Sequence, residues 1–259
     1  MKTNPQGLLI SFEGPEGSGK STLVTAIAAR LYRNLGREVV VIRNPQAGPL
    51  RELVLSKEHS FSKGAELMLF LADRYEAIYK QVLPALRDNK IVVLDRWLHS
   101  TVALQGVVRG NSQTVRHFIA ADKALKEVAD VTFLLEAPCL VLEERLQKRI
   151  ESNKLDVDFS PQNSISAYNR AEQMLQGLRY LEGLENRTPQ NSRYDWETLN
   201  AVKINADQST EEMVNDCLKA LCNNPLFQIA QQLDADMFTP EEFESYQKLL
   251  YLNRVGKTS

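Results

Sequence analysis

The run Gly14-Pro15-Glu16-Gly17-Ser18-Gly19-Lys20-Ser21 constrains this chain more than any other part of it. It matches G-x-x-x-x-G-K-[ST] at every fixed position. Its context agrees. Leu8 to Phe12 reads as a buried strand before it, and Thr22 to Leu35 carries helical spacing after it, ended by Gly36. The glycines let the backbone wrap a polyphosphate with its N–H groups turned inward. A helix beginning at Gly19 would add the positive end of its dipole. Lys20 would reach the β- and γ-phosphates as a point charge, and the Ser21 hydroxyl suits a Mg²⁺ ligand. The expected ligand is a nucleoside triphosphate, cradled by residues 14–22: Gly14, Pro15, Glu16, Gly17, Ser18, Gly19, Lys20, Ser21 and Thr22. GTPases, ATPases and kinases all use such a loop, so the loop alone does not set the reaction.

The rest of the chain alternates apolar runs with helical patterns. Val39 to Ile42, Ile91 to Leu94, Val131 to Leu135 and the weaker Ala201 to Asn205 join the first strand. Continuous Val/Ile/Leu runs separated by helices predict an α/β fold, a five-stranded parallel sheet covered on both faces. Helices are expected over Gly64 to Leu86, stopped or kinked near Pro84, over Cys139 to Ile150 and over Ser164 to Asn186. Ser209 with Glu212 has the spacing of a capping box for a helix through Leu221. The segments 151–162 and 187–200 read as polar connections.

Composition narrows the partners. Of 259 residues, 31 are Lys or Arg and 33 are Asp or Glu, so no overall basic field exists to hold a nucleic acid. No run is long enough to span a membrane, and Leu8 to Phe12 is too brief for a signal-peptide core. The three cysteines, Cys139, Cys217 and Cys222, lack metal-ligand spacing and read as ordinary thiols, with Cys139 in a packing role. A cytoplasmic protein is expected.

Two further clusters suit the chemistry. Asp95-Arg96 ends the third strand, where Asp95 could orient a Mg²⁺ shell and Arg96 could grip a phosphate with two nitrogens. An Asp-Arg pair is also ordinary at a strand end; beside the cradle the functional reading is favoured. Phe70 and Arg74 lie one helical turn apart and face the same way, which suits a nucleobase stacked on one and bonded at its edge by the other. Taken alone, that pair reads as a core phenylalanine beside a solvated arginine.

In order along the chain, these motifs resemble those of the thymidylate kinase family. The resemblance rests on Phe12-Glu13-Gly14 leading into a phosphate loop with an acid, on Phe70-Leu71-Ala72-Asp73-Arg74, and on Asp95-Arg96 followed by Ser100 to Gly106 and Arg109-Gly110. It is dense to Gly110 and looser from there to about Leu221. It implies a P-loop NTPase fold and transfer of phosphate from ATP, with Mg²⁺, to dTMP. It implies that Phe70 stacks on the acceptor base, that Arg74 bonds its edge, and that Ser100, Thr101 and Gln105 lie near base and sugar. Arg96 and Arg51 would hold the acceptor phosphate, and Glu16 would lie near the acceptor sugar and phosphate. Residues 151–162 would form a lid over ATP. The phosphate loop carries no arginine, so the lid side would supply the catalytic one: Arg149, with Arg145, Lys148 and Lys154 in reserve. A homodimer is implied by the resemblance only.

Departures from the family pattern keep alternatives open. Asn44-Pro45-Gln46-Ala47-Gly48 stands where the family has E-P-G-G-T, so the acid is missing. Leu104 replaces an aromatic residue that helps exclude ribose, and Asp156-Val157-Asp158 lacks the lid arginine. The kinase domain is expected over 1–222, with 223–259 a helical extension beyond the usual length. Another (deoxy)nucleoside monophosphate as acceptor, or a nucleotide-binding sensor with little turnover, are the competing readings.

Overall fold

The structure, a computed structural model, describes residues 7–46, 48–55, 61–121, 129–151, 162–171 and 201–223. Each apolar run of the sequence is a strand in it. β1 (Leu8–Glu13) leads through the glycine loop into α1 (Lys20–Leu35), which Gly36 ends in the left-handed conformation at φ 58°. β2 (Val39–Arg43) is followed by α2 (Pro49–Leu55) and α3 (Lys63–Ala77). A π turn (Ile78–Val82) then passes into α4 (Leu83–Arg87). β3 (Ile91–Asp95) is followed by one turn of helix, α5 (Leu98–Ser100), and a second π segment (Thr101–Val108). Next come α6 (Ser112–Ala121), β4 (Val131–Glu136), α7 (Cys139–Glu151) and a helix over 162–171, here α8. β5 (Val202–Asn205) and α9 (Thr210–Asn223) complete the described elements.

The strands form one sheet in the order β2-β3-β1-β4-β5, and every pairing is parallel. A parallel sheet needs crossovers, and these clothe both faces with helices. The pleat sends alternate residues to opposite sides. Leu8, Ile10 and Phe12, with Ile91, Val93, Val131, Phe133 and Leu135, pack on the face carrying α1 and α9. The Phe12 and Phe133 rings stack there at 5.1 Å. Leu9, Val92, Leu94 and Leu134 pack on the other face, against α3, the π segments, α6 and α8.

The same parity governs the polar residues at the strand tips. Glu13 shares its side with Leu9, and Asn44 continues the side of Ile42; both enter the α3 and α5 layer. Asp95 and Arg43 share the side of Val93 and Val41 and enter the α1 layer. One residue of slip in β1 or β3 would exchange these assignments.

The helix expected to stop or kink at Pro84 continues to Arg87. Its backbone widens to a π turn just before the proline, with the Leu83 N–H bonded to the Ile78 carbonyl, five residues back. Pro84 has no N–H to offer, so the irregularity falls where the ladder is already broken. The capping box is present: Glu212 Oε2 accepts from Ser209 N at 2.9 Å and from Ser209 Oγ at 2.7 Å, and Glu212 N donates to Ser209 Oγ at 3.3 Å. The sequence patterns missed α2 and α6. The cysteines are free thiols; Cys217 is buried, while Cys139 is partly exposed and its thiol donates to Glu143 Oε1 at 3.2 Å. Residues 152–161 of the expected lid, the connection 187–200, the continuation of α8 to Asn186 and residues 224–259 of the expected extension lie outside the described residues.

Candidate active site

The glycine loop joins β1 to α1 as expected, and its shape depends on missing side chains. Gly14 sits at φ 136°, and a Cβ there would stand 2.6 Å from the Leu135 carbonyl oxygen. Gly17 and Gly19 also have positive φ, at 80° and 83°. Lys20 folds back into the loop, its Nζ donating to Pro15 O at 2.6 Å and to Ser18 Oγ at 3.3 Å. Burial, then the positive charge of Arg96, holds the Lys20 ammonium well below the usual lysine range; Asp95, Glu16 and Glu13 offset this only in part. The cradle thus holds a cation short of anionic partners, and a polyphosphate would supply them. Arg145, on α7, donates to Gly17 O at 3.5 Å and to Ala206 O at 2.8 Å, which puts a guanidinium against the cradle. Arg149 also belongs to α7, and its side chain lies outside the description.

β1 and β3 are neighbours, with Phe12 opposite Asp95, so the β3 tip lies beside the cradle. Asp95 Oδ2 accepts from Ser21 Oγ at 2.7 Å. A hydroxyl and a carboxylate so placed fit a Mg²⁺ ion that takes its remaining ligands from phosphates and water. Thr22 is exposed at the first turn of α1.

Arg96 follows Asp95 with φ 72°, a costly conformation for a side-chain-bearing residue. The turn throws its guanidinium across the mouth of the site. Nη1 donates to Tyr168 Oη at 2.8 Å, Gly14 O at 3.3 Å and Ser100 Oγ at 3.4 Å, while Nη2 faces Glu16 Oε1 at 3.6 Å. Burial works against the Arg96 charge, but Tyr168, Asp95, Glu16 and Glu13 outweigh it and its pKa is raised.

Beyond Arg96 lies a second polar site. Glu13 is fully buried; its Oε1 accepts the Trp97 N–H at 2.8 Å and its Oε2 accepts from Ser100 Oγ at 2.5 Å. Arg74, 2% exposed, reaches in from α3. Its Nη2 donates to Trp97 O at 2.7 Å, Asn44 Oδ1 at 3.3 Å and Thr101 Oγ1, and its guanidinium lies 4.7 Å from the Trp97 ring centroid. Arg74 Nε and Nη1 are buried with no hydrogen-bond partner among the described residues. Burial pushes this arginine down to about 10, against Glu13 and Asp73, which raise it. Gln105 donates to Glu66 Oε1 at 3.3 Å, and its own buried Oε1 has no partner among the described residues. Unpaired donors and an unpaired acceptor in one buried layer are a cost unless a ligand meets them. A base edge has the complementary groups.

Asn44 answers the question its sequence position raises. It sits between two ions, donating to Asp73 Oδ2 at 2.6 Å while its oxygen accepts from Arg74. Asp73 also accepts the Gln46 N–H at 3.1 Å, yet burial keeps its pKa raised. An amide can serve both neighbours, whereas a carboxylate there would stand against Asp73. Arg51, on α2, donates to Pro45 O at 3.0 Å, and Phe70 is half-buried on α3 one turn before Arg74. Ser21 with Asp95, Arg96 with Ser100, and Arg74 with Thr101 thus meet at the carboxyl ends of β1 and β3. Glu13, Trp97 and Tyr168 join them without having been singled out. Glu13 left a trace, a carboxylate ending a strand that is apolar but for Ser11; Tyr168 left none.

Comparison with known proteins agrees with this geometry. The family model described as thymidylate kinase matches residues 12–180. The chain is 33% identical to a thymidylate kinase of Kosmotoga olearia over 83% of its own length and 98% of that protein. It is 38% identical to a thymidylate kinase of Chlorobium chlorochromatii over 64% of this chain and 74% of that one. Among solved structures, the crystal structure of thymidylate kinase from Ehrlichia chaffeensis matches with a TM-score of 0.53 and 24% identity, over 83% of this chain and 98% of that one. That last likeness concerns the fold.

Proposed function

We propose, since the chain belongs to the thymidylate kinase family, that it phosphorylates dTMP to dTDP with ATP and Mg²⁺. The observation that carries this reading is the position of Arg96. Its guanidinium touches the rim of the phosphate cradle at Gly14 and the second polar site at Ser100. One cation therefore stands where a donor and an acceptor phosphate would meet.

The residues divide the work. Phosphoryl transfer asks mainly for alignment and neutralised charge. Lys20 and the cradle N–H groups would hold the β- and γ-phosphates of ATP. Ser21 and Asp95 would hold Mg²⁺, which when bound neutralises charge on the transferring group. Arg96 and Arg51 would place the acceptor phosphate, whose attacking oxygen is already ionised and needs no strong base. Glu16, 3.6 Å from Arg96, would lie near the acceptor sugar and phosphate. Phe70 would stack on the thymine, and Arg74, with its unpaired Nε and Nη1, would bond the base edge beside Thr101 and Gln105. Arg149 remains the candidate catalytic arginine; Arg145, already against Gly17, is the alternative.

The kinase domain is read as 1–222 with a lid over 151–162, and 223–259 as an extension. A homodimer and a cytoplasmic location complete the reading. No described helix is long and apolar enough to cross a membrane. Met68 and Tyr79 are 41% and 58% exposed on α3 and the turn after it. Light scattering at micromolar concentration tests the homodimer.

The decisive assay measures diphosphate formation from ATP and Mg²⁺ across a panel of deoxy- and ribonucleoside monophosphates. Selective dTDP formation is expected. Preference for another acceptor would keep the mechanism and overturn the substrate, and no turnover with any acceptor would overturn the kinase reading. Arg74→Ala should raise KM for dTMP about ten-fold or more and leave KM for ATP little changed.

A further inference from the structure

Tyr168 belongs to α8 and is 2% exposed. Its hydroxyl touches two groups of the site, Arg96 Nη1 at 2.8 Å and Ser100 Oγ at 2.7 Å. The direction of each bond is fixed by proton count. Ser100 has one hydroxyl proton, and Glu13 Oε2, 2.5 Å away, takes it. Ser100 Oγ can then only accept from Tyr168. The phenol proton being spent, Tyr168 Oη accepts from Arg96, which has only donors. The chain of donation runs from Arg96 to Tyr168 to Ser100 and ends on the buried carboxylate of Glu13. Burial pushes the phenol up to about 12, although the Arg96 charge works against it, so it keeps its proton at any ordinary pH.

This relay grips one nitrogen of the guanidinium. Of the acceptors facing Nη1, Tyr168 is the closest. Nη2 faces Glu16 at 3.6 Å, beyond hydrogen-bonding distance, so its protons remain for a ligand. An arginine at φ 72° with a long side chain needs such a hold to present one face reproducibly.

We infer that Tyr168 is a positioning residue for acceptor-phosphate binding: through its bond to Nη1 it turns Nη2 of Arg96 toward the phosphate of the monophosphate substrate. The inference rests on the proposed role of Arg96. It assigns to α8 a part in substrate binding that the sequence did not suggest.

The test uses the full chain carrying Tyr168→Phe, which keeps the buried ring and removes only the hydroxyl. dTMP and thymidine binding are measured by calorimetry, alongside steady-state kinetics and the thermal midpoint. Loss of a hydrogen bond to a charged group predicts roughly ten-fold weaker dTMP binding and a matching rise in its KM. Thymidine affinity, KM for ATP and the thermal midpoint should stay nearly as in the parent. Equal weakening of thymidine and dTMP, or unchanged dTMP affinity, overturns the inference. Arg96→Ala run beside it separates the two ideas. If it weakens dTMP and Tyr168→Phe does not, the Tyr168 assignment alone fails; if it leaves dTMP binding intact, the Arg96 reading fails first.

Discussion

At the scale of single residues, the site is a set of buried ions whose partners are incomplete. Lys20 is the clearest case. Burial and Arg96 depress its pKa, and bound phosphates would restore it. Nucleotide binding should therefore take up protons, increasingly as pH rises through the depressed value toward the ordinary lysine range. Calorimetry of MgATP binding in buffers of different ionisation enthalpy reads this directly. Uptake should grow from neutral to alkaline pH and vanish in Lys20→Ala, which should also lower kcat by at least about 10²-fold. Proton release on binding would contradict the assignment. Gly14 gives a second test. A methyl group there meets the Leu135 carbonyl at 2.6 Å in a backbone region closed to alanine. Gly14→Ala should cost about 2–5 kcal/mol in urea unfolding.

Elements were legible in proportion to how far local pattern alone determines them. The central strands β1, β3 and β4 are buried on both faces by helices, so their sequences are nearly continuous apolar runs and needed no partner to be recognised, whereas β2 and β5 at the sheet edges are only partly buried and β5 left the weakest signal. The phosphate loop and the capping box are likewise fixed by residues within a few positions of one another. Tyr168 is the opposite case: its partner Arg96 lies 72 residues away, and nothing local marks its helix as part of the site. Asn44 falls between, since its departure from the family pattern was visible and its bridging of Asp73 and Arg74 was not. The capping box of α9 also makes a prediction. Both bonds from Ser209 hold the exposed Glu212 carboxyl below its usual pKa. A carboxylate depressed in the folded state contributes stability above its unfolded pKa and loses it as pH falls through the folded one. Ser209→Ala should thus be less stable than the parent at neutral pH. The difference should shrink as acid protonates Glu212; a gap that stays constant into strong acid would argue against the box.

Across the whole molecule, strand pleating puts the proposed donor and acceptor sites on opposite surfaces of the sheet. Asp95 faces α1 with Ser21, while Glu13, on the adjacent strand, faces α5 with Ser100 and Tyr168. Each ligand should consequently stabilise the fold by itself, by about 2.7 kcal/mol at a hundred times its dissociation constant. In Lys20→Ala, dTMP should still raise the thermal midpoint while ATP loses most of its effect. A variant that lost both responses would show that the two sites form one cooperative unit.

The alternation of neighbouring strand tips also bears on how such a protein can change. On the proposed reading, the Ser21 and Asp95 pair that would serve ATP lies on one surface of the sheet, and the Glu13, Asn44 and Arg74 layer that would recognise the acceptor lies on the other, with Arg96 as their junction. A lineage, or an engineer, can rewrite the recognition surface by substitutions such as those at Asn44 and Leu104 while the energy-supplying machinery is inherited unchanged.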